Sequence, residues 1–191
     1  MSLQTTYRNT PKIATIGGLA DSSSDGVNVF TGFSTEASAM VPFGNAVQFD
    51  PLTGQGYDGF LEGAHGVKLP TAADDVICGI LIHDPNSSDI TNDGTLDGME
   101  PKAVLNILRR GRIWVKPETS SSVAVGARLY VRAVTAGAEY KGALRGAADS
   151  TDCIDCTNQG VWLTAPDADG MALLEVDFIN APLVMADLIN E

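Results

Sequence analysis

Apolar and polar positions alternate with a period of two through most of this chain. Val41, Phe43, Val47 and Phe49 alternate with Pro42, Gly44, Ala46, Gln48 and Asp50. Ile113 and Val115 alternate with Arg112, Trp114 and Lys116, and Leu129, Val131 and Ala133 with Arg128, Tyr130 and Arg132. Near the end Ala172, Leu174, Val176 and Phe178 alternate with Glu175 and Asp177. Such alternation puts one set of side chains on each face of a half-buried strand. The run Val76–Ile82 is apolar on both faces, which predicts a central strand covered on both sides. Short strands set apart by Gly, Pro, Asn and Asp clusters predict an all-β sandwich or barrel. The 20 glycines and nine prolines supply the turns it needs.

Lys102–Arg110 fits two elements. Val104, Ile107 and Leu108 share a helical side, with Pro101 at the first helical position and Gly111 just past the end. Nine residues make a short helix, however, and Val104, Leu105 and Ile107 favour strands, so we read a strand running into Arg112–Val115. Residues 1–25 are different: Met1–Ala20 holds little to fill a core, and Asp21–Gly26 is a polar stretch. This segment reads either as a loosely ordered terminus or as an arm that orders against a neighbouring subunit. Residues 26–181 form the β domain. Residues 182–191 make a tail in which Leu183, Val184, Met185, Leu188 and Ile189 call for burial.

Composition narrows the class. Of 191 residues, 44% are hydrophobic, which excludes a disordered chain, and no apolar run reaches the ~20 residues of a membrane span. The first thirty residues lack the apolar core of a signal peptide. A net charge of −12 argues against a nucleic-acid or anionic-membrane binder. The charge is segregated. Between Lys102 and Arg145 nine bases face two acids, a net of +7, so the rest of the chain carries −19. An alternating strand sends Arg128, Tyr130 and Arg132 to one side, which predicts a local basic patch; solvated bases spread around a barrel are the competing reading.

Candidate chemistry is sparse. Gly54-Gln55-Gly56-Tyr57-Asp58-Gly59 matches GxGxxG but is followed by a glycine-rich stretch instead of a helix, so no dinucleotide site is expected. His65 and His83 sit in no triad motif, and His83 reads as a strand-end surface residue. Cys153 and Cys156 form a CxxC without a second ligand pair, read as two thiols in a surface loop, and Cys78 as a buried small hydrophobe. The spacing of Asp89, Thr91, Asp93, Thr95, Asp97 and Glu100, with Gly94 sixth, follows the twelve-residue Ca²⁺ loop. Its flanks are not helical, so an acidic turn between strands competes with a Ca²⁺ site.

The order of these segments resembles the structural cement, or head-decoration, proteins of tailed bacteriophages. The resemblance runs through Ile16–Ser22, Val41–Val47, Lys68–Pro70, Asp75–Ile80, Val104–Val115, Val125–Arg132 and Met171–Val176. Pro85–Pro101 and the Cys153–Cys156 segment depart from it. It implies a compact β-barrel or jelly-roll-like domain with an extended N-terminal arm, and a strand at Lys102–Arg110. It also implies a noncatalytic protein, made in the host cytoplasm, on the outer surface of the virion. The partners implied are the major capsid protein and further copies of the chain, as a dimer or trimer, without nucleic acid or membrane. On this reading Met1–Ala20 faces the capsid together with Arg109, Arg110, Arg112, Arg128, Tyr130 and Arg132, while the acidic loops face solvent. The alternative is a Ca²⁺-binding adhesion or carbohydrate-binding β-domain. A β-barrel hydrolase lacks any site motif.

Overall fold

The computed structural model describes residues 15–20, 26–50, 65–84, 98–118, 121–135, 140–149 and 152–179. These residues hold strands and no helix. In chain order the strands are β1 (Asn28–Ser34), β2 (Val41–Pro42), β3 (Ala46–Phe49), β4 (His65–Lys68), β5 (Ile77–Leu81) and β6 (Gly98–Met99). They continue with β7 (Val104–Val115), β8 (Tyr130–Arg132), β9 (Leu144–Arg145), β10 (Cys153–Asp155), β11 (Gly160–Trp162) and β12 (Ala172–Asp177). The expected strand over Val41–Phe49 is broken in two, because Phe43–Asn45 turn through Gly44 and bury almost everything from Val41 to Gln48.

Five strands close on themselves. β1 pairs with β4, β4 with β3, β3 with β5, β5 with β7, and β7 returns to β1; only the β1–β4 pairing is parallel. Closure leaves this ring without a free edge. Its interior is filled by Val47, Val67, Cys78, Leu81, Leu105 and Ile107. β7 outruns the ring, and its second half pairs with β12, which carries β11. A separate three-stranded sheet, β10-β8-β9, covers this extension. Between them lies a second core containing Ile113, Val115, Leu129, Val131, Trp162, Leu174 and Phe178. Ile77, Ile80 and Leu108, on the outer wall of the ring, belong to that core as well. Hence every residue of β5 is buried, as its two-sided apolar run predicts.

One extra residue sets the facing of β7. Val29 pairs with Leu108 but Asn28 pairs with Arg110, so Arg109 is a β-bulge. Ile107 points into the ring and Leu108 out of it; past the bulge, Ile113 and Val115 enter the second core. Without the bulge the alternation would send Arg110, Arg112 and Trp114 inward instead. Gly111, two residues after the bulge, takes φ of 138°, a conformation few other residues adopt.

Candidate interaction surface

The bulge turns Arg110, Arg112 and Trp114 to the outer face of the sheet, and β12 sets a partner directly opposite each. Trp114 pairs with Leu173, Arg112 with Glu175 and Arg110 with Asp177. Val161 of β11 continues the middle row, and Arg128 closes it through an isolated bridge to Val161. The Arg110 and Asp177 side chains form a hydrogen-bonded ion pair, while Arg112 lies 3.6 Å from Glu175. The hydrogen bond from Arg110 holds the Asp177 carboxyl below its ordinary pKa and raises that of the guanidinium. All four heads stay open to solvent, at 43% and 37% exposure for Arg110 and Asp177 and 51% and 45% for Arg112 and Glu175. A groove of about 550 Å³ runs over this face, lined by both pairs and by Gly26 and residues 157–161. The segment that is strongly basic in sequence is therefore matched across the sheet: one column of cations on β7, one of carboxylates on β12.

The expected patch of Arg128, Tyr130 and Arg132 does not form as predicted. Arg128 is exposed and Tyr130 half-buried, but Arg132 is 1% exposed. Its side of β8 is covered by Glu118, from the loop after β7, and by Arg145 of β9. Both guanidinium groups hydrogen-bond the two oxygens of the fully buried Glu118 carboxylate. Asp149 closes the cluster, 2.6 Å from Arg132 Nη2 and 3.7 Å from Arg145 Nη1. Burial alone would lower the Arg132 pKa, but the hydrogen bonds to Glu118 and Asp149 outweigh it and raise it. Among the described residues the cluster thus sets two cations against two carboxylates, with Arg132, Arg145 and Glu118 buried and Asp149 half-exposed. Glu118 and Arg145 were not singled out from sequence, where nothing marks a long-range pairing.

The other sequence candidates scatter. Arg109 turns inward, donating from Nη2 to the Phe178 carbonyl at 3.3 Å, with its guanidinium 6.0 Å from the centre of the Phe30 ring. Cys156 is buried in the second core and not in a surface loop, and burial pushes its thiol up to about 12. Cys153 opens β10 on the side shared with exposed Asp155, whereas Cys156 shares the side of buried Ile154. Three extended steps from Cys153 to Cys156 put their Cα atoms about 10 Å apart, beyond the ~7 Å limit for a disulfide. Cys78 is buried inside the ring, as expected. His83 is half-buried with its ring centre 4.8 Å from that of Phe43. Of the candidate Ca²⁺ ligands, Asp89, Thr91, Asp93, Thr95 and Asp97 lie outside the described residues, as do the GxGxxG segment and the tail; Glu100 is exposed. Among the described residues no cluster of three or more His, Cys, Asp or Glu could hold a metal.

Gly17, Gly18 and Ala20, from the segment assigned to the arm, are stitched onto β7. Gly17 N donates to Trp114 O at 2.8 Å, Trp114 N to Gly18 O at 2.9 Å and Ala20 N to Arg112 O at 3.0 Å. Gly17, at φ of 75°, leaves no room for a side chain: a Cβ there would stand 2.8 Å from His83 N.

No curated protein sequence matches this chain. A chain from the solved capsid of Myoviridae phage XM1 superimposes with a TM-score of 0.60 at 15% identity, covering 93% of this chain and 98% of the other, which at that identity establishes a shared fold. The family model described as "Structural cement protein (E217 gp24/Pam3 gp6)" matches residues 3–177. With that match running through the ring, the outer sheet and the stitched segment before them, the chain belongs to the structural cement protein family of phages.

Proposed function

We propose that the protein is a noncatalytic cement that binds the outside of the assembled phage head and stabilises it across junctions between capsid subunits. Membership of the structural cement family carries this reading. A ligand whose site exists only in the assembled shell stabilises that shell by mass action. Many copies of modest affinity suffice when two parts of each copy engage different subunits. The two parts are the chain ahead of residue 15 and the surface at Arg128, beside β11, and Tyr130 of β8. The stitching of Gly17–Ala20 to β7 gives the first of them a fixed point of departure. Of the six residues expected at the capsid, Arg132 is withdrawn by burial and Arg109 by its inward bonding. Arg110 and Arg112 remain on the outer face, matched by β12. On this reading the acidic loops face solvent, and the protein acts as a homo-oligomer.

Co-sedimentation with emptied heads of the cognate phage tests this. The full chain saturates at a fixed ratio to capsid subunits. Removal of residues 1–14, or Arg128→Glu with Tyr130→Ala, weakens binding about tenfold or more, the equivalent of ~1.4 kcal/mol or above. Absence of binding by the full chain at every salt concentration would overturn the cement reading.

A further inference from the structure

We propose that the outer face of β7 and β12 is a contact between two copies of this chain, related by a two-fold axis that runs along these strands. The argument rests on the layout of three rows. β7 presents Arg110, Arg112 and Trp114; β12 presents Asp177, Glu175 and Leu173 in the same order. Columns within a sheet lie about 5 Å apart and successive outward rows about 7 Å apart. A two-fold axis between the columns and parallel to them exchanges the columns and keeps every row. Arg110 of one copy then faces Asp177 of the other, Arg112 faces Glu175, and Trp114 faces Leu173, each contact occurring twice. An isologous contact demands this self-complementarity.

The orthogonal axis fails. Lying across the strands through the middle row, it sets Arg112 over Arg112, Glu175 over Glu175, Arg110 over Trp114 and Asp177 over Leu173. Like charges in such a contact cost several kcal/mol, by roughly the measure that suppresses wrong partners elsewhere. One orientation is thus selected by charge and apolar contact together.

The groups are available for it. Each charged head keeps between 37% and 51% of its surface open, so each in-chain pair can join a pair from the second copy into a four-charge cluster. Arg112, at 3.6 Å from Glu175, makes an ion pair without a short hydrogen bond, which leaves its donors for a second carboxylate. Trp114 and Leu173 are half-buried and supply the apolar end. This contact deepens the homo-oligomer part of the proposed function and fixes both the surface and the symmetry.

The test exchanges the columns. The variant Arg110→Asp, Arg112→Glu, Glu175→Arg and Asp177→Arg keeps both in-chain pairs and the net charge but reverses the polarity of the face. Sedimentation velocity is expected to show dimers for the wild type and for the exchanged variant alone. In an equal mixture, native mass spectrometry should find mixed dimers depleted at least about tenfold from their statistical share, because Arg then faces Arg and acid faces acid. Trp114→Ala should raise the dimer dissociation constant about tenfold, with an unchanged thermal melt as the folding control. A wild-type monomer or trimer, or mixed dimers at statistical abundance, would overturn the proposal. The last result moves the dimer contact to another face and leaves the cement reading standing; that reading fails only in the capsid co-sedimentation.

Discussion

Glu118→Gln tests the buried cluster most directly. In the native fold the Glu118 carboxylate has 0% side-chain exposure and lies between Arg132 at 1% and Arg145 at 6%. Replacing the carboxylate by an amide keeps the shape, and one oxygen as acceptor, but removes the charge that both guanidinium groups share; among the described residues Asp149 is the carboxylate that stays in the cluster. That carboxylate, Asp149, is 47% exposed and lies 3.7 Å from Arg145, so it serves Arg132 well and Arg145 poorly. Arg145 also keeps its Nε donation to the Ala147 carbonyl at 3.1 Å, a neutral acceptor. Removing one partner of a buried ionic cluster costs ~3–5 kcal/mol. The surviving Asp149 contact argues for the lower end, about 3 kcal/mol against a total stability of ~5–15 kcal/mol. In a domain of this size that lowers the melting temperature by roughly 6–12 °C. Urea denaturation followed by tryptophan fluorescence reads the effect at its source, since Trp162 is buried in the adjoining core and its Nε1 donates to the Arg145 carbonyl at 3.3 Å. The apolar replacement Glu118→Leu with Arg132→Met and Arg145→Met removes the three buried charges at once and leaves only the half-exposed Asp149; it should be far milder and within ~1–2 kcal/mol of wild type. A loss below about 1 kcal/mol for Glu118→Gln, or a triple variant as unstable as the single one, would refute an unbalanced buried charge as the cause.

The carboxylates make a pH prediction. Hydrogen bonds from Arg132 and Arg110 hold Asp149 and Asp177 below the ordinary value of 3.8; at Asp50 and Asp75 burial acts upward but hydrogen bonds from Lys68 and from the Thr71 and Ala72 amides outweigh it. Depressed folded-state pKa values add stability that is complete well above 3.8 and is lost as pH falls through and below it, so urea midpoints should agree at pH 7 and 5 and drop at pH 3, and an unchanged midpoint at pH 3 would contradict the assignment. Oxidation with a disulfide-forming reagent should leave Cys153 and Cys156 unlinked in the native protein, read as the intact dithiol mass; an intramolecular bridge formed without unfolding would contradict the extended pairing of β10. Gly17→Ala, forced to φ of 75° with a Cβ against His83 N, should cost ~1–3 kcal/mol and speed hydrogen exchange at the Trp114 amide, which donates to Gly18 O; protection equal to wild type would show that the stitch tolerates the side chain.

The strands were legible where one residue's facing depends only on its neighbours. Ala172–Asp177 alternates buried and half-buried as its sequence does, and Ile77–Leu81 is buried throughout as its apolar run requires. The charged surface was not legible, for two physical reasons. A period of two says which residues share a side of a strand, but not what covers that side: Arg128 and Arg132 share one, yet Glu118, fourteen residues before Arg132, comes back with Arg145 to bury only the latter. Nor does alternation survive a bulge, and the single extra residue at Arg109 decides whether Arg110 and Arg112 face the core or the solvent. The excess of seven positive charges between Lys102 and Arg145 is a fact about chain order. Antiparallel pairing with β12 sets Glu175 and Asp177, more than sixty residues away, directly across from Arg112 and Arg110, and turns a basic stretch into a dipolar strip. A net-positive face would be read by a partner through long-range attraction, weakened by salt; a strip of matched columns is read at contact range, row by row. What selects a partner for this face is therefore the order of its cross-strand pairs, and exchange of the two columns, which leaves composition, net charge and in-chain pairing untouched, changes that order alone.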